Sequence, residues 1–273
     1  MTKKHCINSH TAIKCVMFDF LYDTQLFITF FAVVVRIAAI LNTAPVFGSS
    51  TVKPHIRMLL AVIIGMICIH SVPKIPIVNP NLFTFVMIVG KEVLLGASMG
   101  LMSHFLFAGV QFAGQIVGTQ MGFSVVNVFD PQSNTSVSII SSFLNIAMIL
   151  IFISLGGHLM VIQAIIVSFK TIPVGIFPIH PEGLQYMVKM FSMIFVTAIK
   201  ITAPVFVTLL VLQVVMGIIG RMVPQINLMI VGFPIQIAVG LSVLAASMNY
   251  FYIVFEKLLH RYFEEVANLI RYL

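Results

Sequence analysis

Three uninterrupted runs without Asp, Glu, Lys or Arg dominate this chain: residues 93–129, 131–169 and 222–255, of 37, 39 and 34 residues. A water-soluble domain cannot place such runs, because it needs charged side chains on every surface element. Further apolar stretches occupy 21–47, 56–72 and 187–220, the first broken by Asp23 and Arg36 and the last by Lys189 and Lys200. Of 273 residues, 8% are charged and 60% hydrophobic, where a soluble domain carries about 25% charged residues. A soluble enzyme, a disordered chain and a nucleic-acid-binding domain are excluded as readings. The net charge of +7 sits in tails and short loops between apolar runs, as membrane proteins place their basic residues.

The runs predict helices. Strands of a membrane barrel alternate polar and apolar residues over about ten positions, and polar residues are too few here to alternate. The expected fold is all-α and multi-pass, with six apolar segments at 21–47, 56–72, 82–113, 134–169, 187–220 and 226–256. Threaded through a bilayer from a cytoplasmic N-terminus, the basic residues Lys3, Lys4, Lys14, Lys74, Lys170, Lys189, Lys257, Arg261 and Arg271 fall on the cytoplasmic side. Lys53, Arg57 and Arg221 fall on the other, so the positive-inside rule puts both termini in the cytoplasm. The stretch 21–47 is long for a signal-peptide core, and Pro45 follows Ala44 where cleavage would fall; a retained span fits better.

The lengths conflict with a simple bundle of spans. A 39-residue helix is about 58 Å long, against a hydrocarbon core of about 30 Å. The 131–169 run therefore folds back, or packs on protein beyond the bilayer. The same holds for 82–113 and 187–220, so several helices are expected to be covered by partner subunits.

Within this frame a few residues stand out. Gly96 and Gly100 form a four-residue pair, and Gly114, Gly118 and Gly122 recur at the same interval. Small residues on one helical face let backbones approach closely. After them Met121, Phe123, Val125, Val126, Val128 and Phe129 make an apolar stretch ending at Asp130–Pro131, where a helix cannot continue. An apolar loop implies burial in protein or in a pore; a re-entrant turn packed for structure alone is the plainer alternative. Arg36, Lys91, Glu92 and Lys200 are charges inside apolar runs, costly at membrane depth and often functional. Lys91 and Glu92 are sequence neighbours that point about 100° apart on a helix, so pairing with another subunit or snorkelling to a span end is expected before a proton relay. His104 and His158 are isolated. In 220–240, Arg221, Pro224, Gly232 and Pro234 punctuate a helical hairpin with its turn near 221–227. Cys6, Cys15 and Cys68 match no zinc or redox spacing and read as free thiols. No triad, metal cluster or phosphate-binding loop is visible, so the chain calls for no catalysis, metal or cofactor.

Several motifs together resemble the flagellar biosynthetic protein FliR family. They are T-A-P-V-F-G (43–48), K-P-H-I-R-M-L-L-A (53–61), G-K-E-V-L-L-G-A-S-M-G (90–100), G-T-Q-M-G-F-S-V-V-N-V-F-D-P-Q-S-N (118–134), G-G-H-L (156–159) and R-M-V-P-Q-I-N-L-M-I-V-G-F-P-I-Q-I (221–237). The resemblance covers about 25–260. It implies a core subunit of the flagellar type III export gate in the bacterial inner membrane at the flagellar basal body. FliP-like and FliQ-like subunits, FlhB and FlhA are the implied partners, and unfolded export substrates the cargo, with the lipid bilayer around the assembly. It also implies a division into a basic tail at 1–20, a FliP-like part at 21–183, a FliQ-like part at 184–260 and a cytoplasmic tail at 261–273. The loop within 114–137, centred on Met121–Val137, matches the family's pore plug. A virulence-type T subunit shares this plan. From a different class, a stand-alone secondary transporter is the competing reading, which the missing inverted repeat disfavours.

Overall fold

The long uncharged runs become helices, because a backbone in an apolar setting must satisfy its own hydrogen bonds. The computed structural model describes residues 24–48, 52–69, 72–73, 81–123, 138–176, 181–225 and 227–272. Among them are eight helices and no strand: α1 (Thr24–Thr43), α2 (Pro54–Cys68), α3 (Leu82–Gln120), α4 (Ile139–Ser154), α5 (Gly157–Thr171), α6 (Pro181–Met222), α7 (Leu228–Ala246) and α8 (Met248–Tyr272). The 1–20 tail with Cys6 and Cys15, and the plug candidates Val125, Val126, Val128, Phe129, Asp130 and Pro131, lie outside the described residues.

Helix boundaries follow local chemistry. Pro54 opens α2, where its missing N–H is no loss. Gly156, with φ +73°, closes α4. In that left-handed backbone a side chain would be strained, and glycine is the residue that ends helices there. The 131–169 run accordingly breaks at Leu155–Gly156, and α4 and α5 are bent by 66°. The length suggests a fold-back or packing on protein beyond the bilayer, and the run is bent as a broken span or a re-entrant loop would be. A similar break at Ser247 bends α7 and α8 by 55°.

Two helices do run on unbroken: α3 with 39 residues and α6 with 42. At 1.5 Å per residue they extend about 58 and 63 Å, roughly twice the hydrocarbon thickness. By length and composition, Gln25–Thr43, Leu82–Gln120 and Gln185–Met222 suffice to cross a membrane, and the two bent pairs raise the number to five. The expected span at 56–72 is not among them: α2 has 15 residues, about 22 Å, since the Pro54 start and the end at Cys68 leave it short.

The 42-residue α6 carries Pro204 in its interior. Proline cannot donate to the carbonyl four residues before it, which is that of Lys200. The Tyr250 hydroxyl of α8 donates to this freed oxygen at 3.2 Å. That oxygen therefore has a donor from outside the helix, at an exposed position.

The chain divides into two compact units. One comprises residues to Leu101, Gln163–Gly183 and the chain from Leu269; the other comprises Met102–Ile162 and Leu184–Asn268.

Candidate functional site

In the first unit, glycines set the approach of α3 to α1. A Cβ on Gly96 would sit 2.6 Å from the Arg36 carbonyl oxygen and 2.7 Å from the Ala39 Cβ. One on Gly100 would collide with the Thr43 hydroxyl and lie 2.8 Å from the Ile40 carbonyl oxygen. Only glycine permits this spacing, which carries the backbone of α3 against α1.

That approach brings Arg36 and Glu92 together, and both are fully buried. The guanidinium grips the carboxylate through two nitrogens: Nε donates to Oε2, and Nη2 donates to Oε1 at 3.1 Å. Its Nη1 donates to the Ser168 hydroxyl at 3.3 Å and to the carbonyl oxygens of Ile172 and Ser168 at 3.1 and 3.4 Å. The Phe169 ring centroid lies 4.5 Å from Cζ. From the far side, the Gly175 N–H donates to Glu92 Oε1 at 2.7 Å; Gly175 has φ +86°. Arg36 thus ties α1 to α3 and covers the carbonyls at the end of α5, where a cation is favoured. The partner of Glu92 is within the chain, 56 residues away, rather than in another subunit. Lys91, half-buried beside it, takes no part in this cluster.

The second unit is built differently. Gly114 faces α4, where an added Cβ would overlap the Ser141 backbone, and the Ser141 hydroxyl donates to the Gln111 carbonyl at 2.8 Å. Gly118 faces Ser138, the residue before α4, just as closely. Farther up α3, Gly109 faces Thr197 of α6 at 2.9 Å. Aromatic edges fill the space between: Phe105 meets Phe191, Phe112 meets Phe195, and Phe107 meets both Phe152 and Phe255, with centroids 5.5 to 6.0 Å apart. Edge-to-face pairs of this kind are favoured by the ring quadrupole.

Gly122 does not continue the face of Gly114 and Gly118. It lies past the end of α3 with φ +89°. There the Phe123 N–H donates to the Gly118 carbonyl and the Gly122 N–H to the Thr119 carbonyl, both at 3.1 Å. This is the Schellman ending of a helix. The helix therefore stops at Gln120, ten residues before the Asp130–Pro131 breaker. Met121 is fully buried, and Phe123 is half-buried.

Near the C-terminal end, Glu265 accepts from the Tyr186 hydroxyl at 2.5 Å and from Lys189 at 3.3 Å. The Lys189 side chain is 53% exposed. Lys200 is exposed, as are Arg221, Pro224 and Pro234; Gly232 is buried, its missing Cβ 3.4 Å from the Met216 methyl. Sequence reasoning missed Tyr250 and Ser138, because neither residue stands in a pattern. Among the described residues no group of three His, Cys, Asp or Glu could hold a metal ion.

The family model for bacterial export proteins, family 1, matches residues 27–262. The flagellar biosynthetic protein FliR of Bacillus subtilis (strain 168) is 32% identical over 249 residues, 90% of this chain and 96% of that protein. The protein of the same name from Escherichia coli (strain K12) is 29% identical over 243 residues, 88% of this chain and 92% of that protein. The Yop proteins translocation protein T of Yersinia pestis is 25% identical over 184 residues, 64% of this chain and 70% of that protein.

Proposed function

We propose, from the premise that this chain belongs to the bacterial export proteins of family 1, that it is a core subunit of the flagellar type III protein export gate. The observation that carries this reading is the likeness to flagellar biosynthetic proteins FliR along about nine-tenths of the chain. The flagellar branch is preferred to the virulence branch because the likeness to the translocation protein T is weaker and shorter.

In this reading the chain acts by shape, passing unfolded flagellar substrates through a channel it forms with FliP-like and FliQ-like subunits, next to FlhB and FlhA. The uncovered surface of α6 supports the need for partners: only 11% of its most apolar window is buried within the chain. The assembly sits in the inner membrane at the flagellar basal body, with both termini in the cytoplasm; the support is the excess of basic residues on that side. The segment Met121–Val137 closes the channel at rest. Its apolar composition supports this, because hydrophobic constrictions block ions by excluding water. Arg36 and Glu92 hold the subunit's shape, and the glycines of α3 set its helix spacing.

Deleting the chain should abolish flagellar filaments and motility while Sec-dependent secretion continues, scored by electron microscopy and swim-plate diameter. Normal filaments in a clean deletion strain would overturn the assignment. Removing Ser124–Phe129 should leave an assembled complex that leaks ions at rest, measured as membrane depolarisation. A tight membrane around a normally assembled complex would remove the plug from the reading.

A further inference from the structure

We propose that α6 crosses the bilayer with residues 201–220 alone, as one leg of a hairpin with α7, and that Lys200 and Arg221 bind lipid headgroup phosphates at the two edges of that segment. The inference rests on the membrane placement above, and on neither the plug nor the export-gate assignment.

At about 63 Å, α6 is twice as long as the hydrocarbon is thick, so one part of it crosses and the rest stands outside. The cations say which. Ten uncharged residues separate Lys189 from Lys200, about 15 Å of helix. Twenty separate Lys200 from Arg221, which sets these two cations about 32 Å apart along the axis, the thickness of the hydrocarbon core. A span at 190–209 would instead put Lys200 at its centre, at a cost of roughly 2.5–3.5 kcal/mol.

The side chains of 201–220 suit lipid. Val207, Val211, Val214 and Ile218 recur at helical intervals on one face, and each is more than half exposed. The polar ones have partners: Thr202 Oγ1 donates to the Ala198 carbonyl, Thr208 Oγ1 to the Pro204 carbonyl and Gln213 Nε2 to Gln120 Oε1, all at 2.8 Å. Hydrocarbon would offer them none. Lys200 and Arg221 are exposed, and among the described residues neither is in an ion pair. Cations at this depth reach the headgroup phosphates. Tyr250, itself exposed, reaches the Lys200 carbonyl from α8, and tyrosines collect at the level of the headgroups.

The return leg matches. No charge occurs from 222 to 255, and the 19 residues of α7 extend about 28 Å. Gly232 of α7 lies against the Met216 methyl of α6, so the two legs touch, and residues 221–225 at the turn are exposed. A protein partner would not require cations one hydrocarbon thickness apart; lipid does. The rest of α6, where Val188 and Phe191 are exposed, is left for partner subunits.

The test uses the full chain in its purified complex, carrying Cys6→Ser, Cys15→Ser and Cys68→Ser, in vesicles of phosphatidylethanolamine and phosphatidylglycerol. A nitroxide is attached at one site at a time through Val188→Cys, Val207→Cys, Val211→Cys, Val214→Cys or Ile218→Cys. Its collisions with oxygen, which concentrates in hydrocarbon, and with a water-soluble nickel chelate are measured. The oxygen-to-nickel ratio should be high at the last four sites, greatest at Val211 midway between the cations, and low at Val188. The sites are read independently, so poor assembly of one variant leaves the profile defined. Few collisions with either reagent at the four sites would mean that protein covers them, and a maximum near residue 200 would mean that α6 crosses elsewhere; either result overturns the inference. Lys200→Gln should move the maximum toward residue 200 and Arg221→Gln toward residue 221, while Lys200→Arg leaves it in place. A profile that none of these moves would overturn the headgroup contacts. Release of the unsubstituted complex from membranes by alkaline carbonate would instead overturn the membrane placement itself.

Discussion

The two units of this chain solve one problem in opposite ways. Both hold helices against α3 through glycines, but the first closes around a fully buried ion pair and the second around serines and aromatic edges. Arg36 donates two hydrogen bonds to Glu92, and both side chains are fully buried. The ion pair of the second unit, Lys189 with Glu265, has its lysine more than half exposed. Burial of both partners makes the first pair hard to break; in the second only Lys189 is solvated, and the buried Glu265 keeps the Tyr186 hydroxyl as a donor when the lysine is lost. A buried charge left alone costs several kcal/mol, whereas an exposed one is solvated.

The largest expected effect follows from that contrast. Arg36→Met should destabilise the assembled complex by about 3–5 kcal/mol, because Glu92 would stay buried without its partner. Thermal melting in detergent reads this as a large drop or as absent complex. Adding Glu92→Leu to Arg36→Met should recover most of the loss, though not all, since the Gly175 N–H loses its acceptor. A double variant as poor as the single one would mean that the charges do more than neutralise each other.

A middle effect tests the glycine spacing that the units share. Gly114→Leu should cost about 1–3 kcal/mol by overpacking against Ser141. Gly90→Leu, with nothing within 4 Å of the added Cβ, should be neutral or stabilising, because leucine favours a helix over glycine by roughly 0.8 kcal/mol. Equal melting temperatures for the two variants would remove close approach as the reason for glycine at 114. The smallest effect is Lys189→Met, expected to cost less than about 1 kcal/mol and to shrink as salt is raised. A loss that persists in high salt would put this pair in the same class as Arg36 and Glu92.

Much of the architecture was legible from the absence of charge. Runs of 37 to 39 residues without a charge admit helices and little else, and the T-A-P-V-F-G and G-K-E-V-L-L-G motifs carried the resemblance. The close-approach role of Gly96, Gly100, Gly114 and Gly118 is a matter of local spacing, so it could be expected. The role of Gly122 could not, because the four-residue interval hides whether the helix has already ended. Arg36 and Glu92 stood out separately as misplaced charges, yet nothing in their spacing joins them: the contact exists only once α1 lies on α3. Length also misled where a glycine intervened, since the left-handed backbone at Gly156 turned one long run into two helices. The segment after Phe123 was legible through its apolar composition and the resemblance.

The cluster around Arg36 also has a consequence for biosynthesis. Its members leave the ribosome far apart in time, because Glu92 follows Arg36 by 56 residues and Ser168 follows it by 132. At roughly 5–20 residues per second, Arg36 waits about 3–11 s for its carboxylate and about 7–26 s for the cap of α5. An unpaired arginine at the centre of a span costs roughly 2.5–3.5 kcal/mol to insert. A nascent chain arrested before residue 92 should therefore leave α1 extractable from membranes by alkaline carbonate, and one arrested with residues up to 175 exposed should not. Firm insertion of the shorter intermediate would show that Arg36 finds a temporary partner. Among the described helices, α1 is made first, yet its insertion is completed only after α5 has been made.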